Sequence, residues 1–258
     1  MGYAHTAHHC AMERVHALAG NPAVSTWSGP HGLAVRSGAD ANDLNVIVSP
    51  HGFVPGRAML EELRSWWSGS PASWLVEEPD EMLTRTLLHA GWTPERTGRW
   101  CGRPLGHAPY VPAAGVPPEV AVERVAGDDA VEQWLDVAVE CGWIQDLENR
   151  VVRRDLLRGS AGDPREATWL AHVNGRPVGM ARGWCSGPAV DVVDVAVRPP
   201  ARRSGVGTAL VSAVLDWGAT HGVRTVVAAP SPDGWRLFRG LGFENVPVVP
   251  DVCFYWTG

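Results

Sequence analysis

The residues able to do chemistry gather between Asp191 and Thr208. Two carboxylates, Asp191 and Asp194, stand in the apolar run Val190–Val197, two arginines, Arg202 and Arg203, follow Pro199-Pro200, and Ser204 leads into Gly205-Val206-Gly207-Thr208. A carboxylate on an apolar strand is a candidate general base. Adjacent guanidiniums suit phosphate oxygens, which they pair with in a two-point geometry. A glycine turn that opens a helix presents N–H groups without intrahelical partners at the positive end of the dipole, and glycine lets an anion approach the backbone. The combination predicts a phosphate-bearing ligand held at the turn. Two familiar phosphate loops are excluded. A Walker A loop needs a lysine, and this chain contains none. The dinucleotide pattern GxGxxG fails because Leu210 stands where its third glycine belongs.

The surrounding sequence supplies the elements that must hold these groups. Val206, Leu210, Ala213, Val214 and Trp217 recur at helical spacing, so a helix follows the turn. A strand at Val223–Ala228 comes next, then a helix ending in Leu241-Gly242-Phe243. Upstream, Val120–Val125 reads as a strand and Asp128 as the cap of a helix running to Glu140. Asp146–Leu157 reads as a second helix. Ala167–Val173 and Pro177–Trp184 are strands joined through Asn174-Gly175, a strong hairpin signal. Strand alternation puts Asp191 on one face with Val193, Val195 and Val197, leaving Asp194 on the other.

The pattern R-x-x-G-x-G/A, here Arg202 to Gly207, preceded by V-A-V-R-P and followed by L-G-F, resembles the acyl-CoA-binding motif of the GNAT N-acetyltransferase superfamily. That resemblance implies an α/β fold with a mixed sheet and acetyl-CoA as acyl donor. It implies that the N–H groups of Arg203 to Thr208 surround the pyrophosphate and that the strand edge at Val195, Ala196 and Val197 pairs with the pantetheine arm. It places Asp191, or alternatively Asp194, as the base that deprotonates the amine, and Trp143 beside the acceptor. The family's asparagine and tyrosine acid fall on Ser231 and Phe238. Serine can still bond a pantetheine amide, whereas phenylalanine has no proton to give. A thiol with a pKa of roughly 8–9 can leave unassisted, so this departure predicts slower turnover rather than none.

The first hundred residues echo this order. Asn45–Pro50 parallels Asp194–Pro199, Trp67 parallels Trp217, Pro79-Asp80 parallels Pro232-Asp233, and Ala90-Gly91-Trp92 parallels Leu241-Gly242-Phe243, at near-equal intervals. The first copy's loop, His51–Arg57, has no R-x-x-G-x-G and carries Pro55 where backbone amides would be needed. Two GNAT-like lobes follow: a degenerate one at 1–103 whose last strand is Arg96–Cys101, a proline-rich linker at 104–118, and a lobe at 119–258 with the acyl-CoA site. His5, His8, His9 and Cys10 are close enough to suggest a metal site, but their place at the terminus predicts a solvated tail and no metal.

A formal charge of −6 with no basic tract argues against nucleic acid as partner. No apolar run approaches a membrane span, and the five scattered cysteines read as reduced thiols, so the expectation is a soluble cytoplasmic protein. The oligomeric state is not legible. Three functions remain open: acetyl transfer to the primary amine of a small molecule, acyl-CoA binding without turnover, and transfer of another acyl group or to a peptide N-terminus.

Overall fold

The structure is a computed structural model and describes residues 3–29, 32–39, 41, 44–50, 52–67, 71–76, 81–96, 100–106, 116–246 and 252–256. His51, Pro79, Asp80 and most of the expected linker lie outside them. By contacts the chain divides into two units: Met12–Thr97 with Val248–Gly258, and Met1–Ala11 with Gly98–Pro247.

The first unit holds β1 (Ser25–Gly29), β2 (Gly32–Arg36), β3 (Asn45–Val48), α2 (Arg57–Trp67), β4 (Ala72–Val76), α3 (Glu81–His89) and β5 (Thr93–Arg96); the preceding helix α1 (Tyr3–Ala19) is divided between the units. Its sheet runs β1-β2-β3-β4-β13-β5, where β13 (Val252–Trp256) comes from the far end of the chain. β3 and β4 are parallel and joined by α2, and β13 lies antiparallel to both β4 and β5. Leu63 and Trp67 of α2 and Leu83 and Leu87 of α3 meet Ile47, Trp74 and Phe254 in a core of its own.

The second unit begins with β6 (Cys101–Pro104) and continues with β7 (Val120–Arg124), α4 (Asp128–Glu140), α5 (Leu147–Gly159), β8 (Glu166–Val173), β9 (Arg176–Ser186), β10 (Ala189–Val197), α6 (Val206–Thr220), β11 (Thr225–Ala228), α7 (Trp235–Gly240) and β12 (Glu244–Asn245). Its sheet runs β12-β6-β11-β10-β9-β8-β7. Asn174 and Gly175 both take positive φ, 51° and 74°, as a two-residue turn between β8 and β9 requires. One face of the sheet packs on α6 through Val190, Val192, Val206, Leu210 and Val214. The other packs on α4 and α5 through Leu170, Met180, Ala196, Trp134 and Leu135.

Four expectations change. Asp128 does not cap α4; Gly127 does so with φ 79° and no side-chain bond, and Asp128 is the first helical residue, whereas Asp146 caps α5 by accepting from the Asn149 N–H. The segment 96–101 is not one closing strand: β5 ends at Arg96, and β6 begins at Cys101 in the other sheet, pairing with β11 and β12. The two sheets thus trade strands, since β6 sits between β11 and β12 just as β13 sits between β4 and β5. The expected linker starts inside structure, for Pro104 ends β6 and Leu105 is buried with its N–H bonded to the Arg224 carbonyl. The N-terminus is not a solvated tail. His8 and Cys10 are buried, and Ala7 and Cys10 lie against Ala189, Val227 and Trp100, because the alanine-rich start of α1 lets helix and sheet approach closely. Among the described residues no helix is long and apolar enough to cross a membrane.

Candidate functional site

The glycine turn has the shape its composition predicts. After β10 the chain makes a short 3₁₀ turn at Pro199–Ala201, bends at Arg203 with φ 62°, and enters α6 through Gly205, which stands at the N-cap with φ 83°. The first helical bond runs from the Ala209 N–H to the Gly205 carbonyl. The N–H groups of Val206, Gly207 and Thr208 therefore precede the helical ladder, at the positive end of a 15-residue helix. Arg202 and Arg203 are exposed beside them. Arg202 donates from Nε to the Val197 carbonyl at 3.0 Å, which ties the turn to the end of β10. Ser204 closes the turn by donating to the Ala201 carbonyl. The two glycines do different work. Gly205 supplies the left-handed conformation, whereas a Cβ on Gly207 would come to 3.0 Å from the Leu237 side chain and press it aside where α6 meets α7.

Beside the turn, β10 and β11 separate. They pair in parallel only from Ala189–Val192 against Thr225–Ala228, and β10 then runs on to Val197. On that side Val193–Val197 has no partner strand among the described residues. This is an open edge of backbone leading to the glycine turn.

The alternation expected along β10 is broken. Its register against β9 shifts between Val193 and Ala196, and Asp194 takes φ 55°, a conformation few non-glycine residues adopt. The extra residue reverses the facing of everything beyond it. Asp191 therefore does not share a face with Val195 and Val197, which pack towards α6 with Val190 and Val192; it shares one with Ala196, on the side of α4. Asp194 is not on the opposite face either: its carboxylate accepts from Arg182, the cross-strand neighbour of Val193, at 2.8 Å.

Arg182 lies between two carboxylates, with Glu166 of β8 at 2.9 Å on its other side. Side-chain exposures of 22% for Arg182, 8% for Glu166 and 14% for Asp194 make this a largely buried group. Burial opposes the charge on Arg182, but Glu166 and Asp194 outweigh it and hold the guanidinium pKa above its ordinary value. Asp191 itself is buried, 1% exposed, and stands across from Trp184 on β9 and Val227 on β11. The indole N–H of Trp184 is buried with no hydrogen-bond partner among the described residues, leaving a donor over for a water or a ligand atom on the Asp191 face. Burial, helped by the Asp191 charge, pushes the Cys101 thiol up to about 12.

The remaining expected residues divide. Trp143 is 39% exposed, in the turn between α4 and α5, where Gly142 takes φ 79° and Ile144 is buried beneath. Ser231 is exposed and accepts from the Gly234 N–H at the start of α7. Phe238 is in the core, 4% exposed and edge-on to Phe243 at 5.0 Å. Glu166, Arg182 and Trp184 were not singled out from sequence. The signal for them was a lone arginine inside a strand that is otherwise apolar and glycine-rich, Met180-Ala-Arg-Gly-Trp-Cys185.

Residues 128–243 match the model of the acetyltransferase (GNAT) family. A stretch of 69 residues is 42% identical to the L-2,4-diaminobutyric acid acetyltransferase of Nocardia farcinica, covering 26% of this chain and 36% of that protein. The match thus spans about a third of that relative's length. In fold the chain is similar to a GCN5-related N-acetyltransferase from Kribbella flavida, at 17% identity and a TM-score of 0.65 over 96% of this chain and 94% of the other. It is also similar to a tandem GNAT protein from the clavulanic acid biosynthesis pathway, at 18% identity and 0.59 over 92% and 84%.

Proposed function

We propose, from the match of residues 128–243 to the acetyltransferase (GNAT) family model, that the chain is an acyl-CoA-dependent N-acetyltransferase, moving an acetyl group from acetyl-CoA to a primary amine of a small molecule by direct attack. The observation that carries this reading is the junction of the open β10 edge with the unpaired N–H groups at the start of α6. A pyrophosphate suits those N–H groups and the guanidiniums of Arg202 and Arg203, and Ser204 and Val206 shape the same turn. An extended amide-bearing arm suits the backbone of Val195, Ala196 and Val197, and the Ser231 hydroxyl is the candidate to bond one of its amides.

Acyl transfer to an amine needs the amine neutral, the carbonyl polarised and the thiolate released. Asp191 is the base in this reading. Its burial requires the proton to reach it through a water, for which the spare Trp184 donor provides an anchor. A backbone N–H of the β10 edge polarises the carbonyl. Phe238 supplies no proton, so the thiolate leaves on its own acidity. The acceptor is assigned to the α4 side of the sheet, which Asp191 faces, and the name of the Nocardia relative points to a small diamino acid as the kind of amine. In this reading the unit that contains Gly98–Pro247 holds the donor and the other unit holds none, in place of the expected bounds 119–258 and 1–103.

Phe238 in the core favours a second reading, binding of acyl-CoA without turnover. Calorimetric titration with CoA and thiol release from acetyl-CoA across a panel of diamines and amino acids separates the two. Tight binding of one CoA per chain with amine-dependent thiol release supports transfer, and Asp191→Asn should then lower kcat at least tenfold while CoA affinity changes little. Binding without release for any amine supports the second reading. No binding removes both.

A further inference from the structure

We propose that Arg182 is a positioning residue for the transfer: braced by Glu166, it holds Asp194 and so fixes the bulge that sets the direction of the β10 backbone at Val195–Val197. The inference rests on the acyl-CoA reading of that edge, but the geometry behind it is independent of any ligand. Asp194 is one of three non-glycine residues with positive φ among those described; the others, Asn174 and Arg203, sit in turns. A left-handed residue inside a strand is disfavoured by contact of its Cβ with the following carbonyl. It persists where its surroundings over-determine it, and such places collect at functional sites. Here the restraint is visible. The Asp194 carboxylate reaches across to Arg182 at 2.8 Å, and Arg182 cannot follow Asp194 away because Glu166 holds it at 2.9 Å, with a further bond from its Nε to the same Glu166 oxygen at 3.1 Å.

The three residues belong to three successive strands, β8, β9 and β10, so the clamp links the bulge to the middle of the sheet. Its consequence falls on the edge that faces away from β9. Beyond the bulge Val195 and Val197 pack towards α6 and Ala196 towards Met180, and the N–H and carbonyl directions follow the same choice. A carboxylate so committed has a positioning task, which leaves Asp191 as the base. Arginine is required because its planar fork serves two carboxylates at once; a lysine offers one point charge.

The experiment compares the full-length chain with Arg182→Met, Arg182→Lys, Asp194→Val and Asp194→Gly. Glycine accepts φ 55° without a clamp, and valine resists it. Three quantities are read: CoA affinity by calorimetry, kcat for thiol release at saturating acetyl-CoA, and hydrogen exchange of the Val193–Val197 amides without ligand. Arg182→Met and Asp194→Val should lower kcat at least tenfold with CoA affinity within about threefold, because the turn at Gly205 is untouched. Exchange at Val193–Val197 should quicken at least tenfold while α6 is unchanged. Asp194→Gly should be impaired less than Asp194→Val, and Arg182→Lys less than Arg182→Met. If Arg182→Met does not fold, the Lys and Gly variants carry the comparison. Equal losses in Asp194→Gly and Asp194→Val would overturn the proposal, since the carboxylate itself would then be the requirement. So would unchanged exchange in the Arg182 variants. A wild-type chain that binds no CoA would overturn the donor-site reading, and the exchange comparison would still decide whether Arg182 holds the bulge.

Discussion

A chain cut to begin at Pro117 should fail to fold, although it contains every residue assigned to the donor site. The cut removes β6, which pairs with β11 over Cys101–Pro104 and with β12 over Cys101 and Gly102. It removes Cys101 and Leu105 from the core beneath α6, and it strips Ala7, Cys10 and Trp100 from Ala189 and Val227. Burying a leucine is worth about 2 kcal/mol, and each ladder hydrogen bond adds about 1 kcal/mol net. With the smaller apolar contacts the loss comes to about 6–8 kcal/mol, comparable with the whole stability of an ordinary domain, about 5–15 kcal/mol. For a unit of this size that corresponds to a fall in Tm of roughly 15–30 °C. The exposed β11 edge, with Val226, Val227 and Ala228 all buried in the intact chain, would also invite pairing between molecules. Circular dichroism melts and gel filtration of 117–258 should show a poorly cooperative, aggregating species. A chain of residues 98–247, which keeps β6 and drops β13, should melt cooperatively and keep more of the CoA affinity. The reasoning fails if 117–258 melts within about 5 °C of the full chain, or if it is stable and 98–247 is not.

Acid should loosen the pairing of α4 with α5. Hydrogen bonds from Arg154 and then Arg150 hold Glu132 down to about 2, against an ordinary value of 4.5, so its contribution is complete above pH 4.5 and is lost as pH falls towards 2. Because the Glu132 side chain is 37% exposed, solvent screening leaves at most about 1 kcal/mol; Glu132→Gln should lower the Tm slightly at pH 7 and flatten the melt-versus-pH curve below pH 4.5. Thiol reactivity should be uneven. Burial lifts Cys185 to about 11 and, with Asp191, lifts Cys101 to about 12, so iodoacetamide at pH 8 should label Cys141, which is only half-buried, well before either, as peptide mass mapping would show.

The local elements were legible because each rests on short-range signals. Asn174-Gly175 dictates its own turn, and the Val206–Trp217 spacing its own buried helix face. The glycine turn was legible for the same reason, since its geometry lies within six residues. What escaped was set by partners distant in sequence. Nothing in Cys101–Pro104 says that it pairs with Thr225–Ala228 rather than with its own lobe, because both sheets offer a similar apolar edge. The bulge at Asp194 escaped because Val-Asp-Val-Val-Asp-Val-Ala-Val reads as unbroken alternation whichever residue is extra. Only the arginine on β9 chooses Asp194, and it is twelve residues away.

The traded strands link the two halves of the chain through their sheets, although only the second half carries R-x-x-G-x-G. β6 completes the sheet that carries the proposed donor edge, and β13 completes the sheet of the other lobe, so neither half of the chain contains all the strands of its own sheet. β11, whose departure from β10 opens the edge at Val193–Val197, is flanked on its other side by β6. A strand paired on both sides over its whole length has little freedom to drift, so β6 keeps β11 from closing the gap or peeling away from β10. β6 thus braces β11, the strand beside the open edge at Val193–Val197.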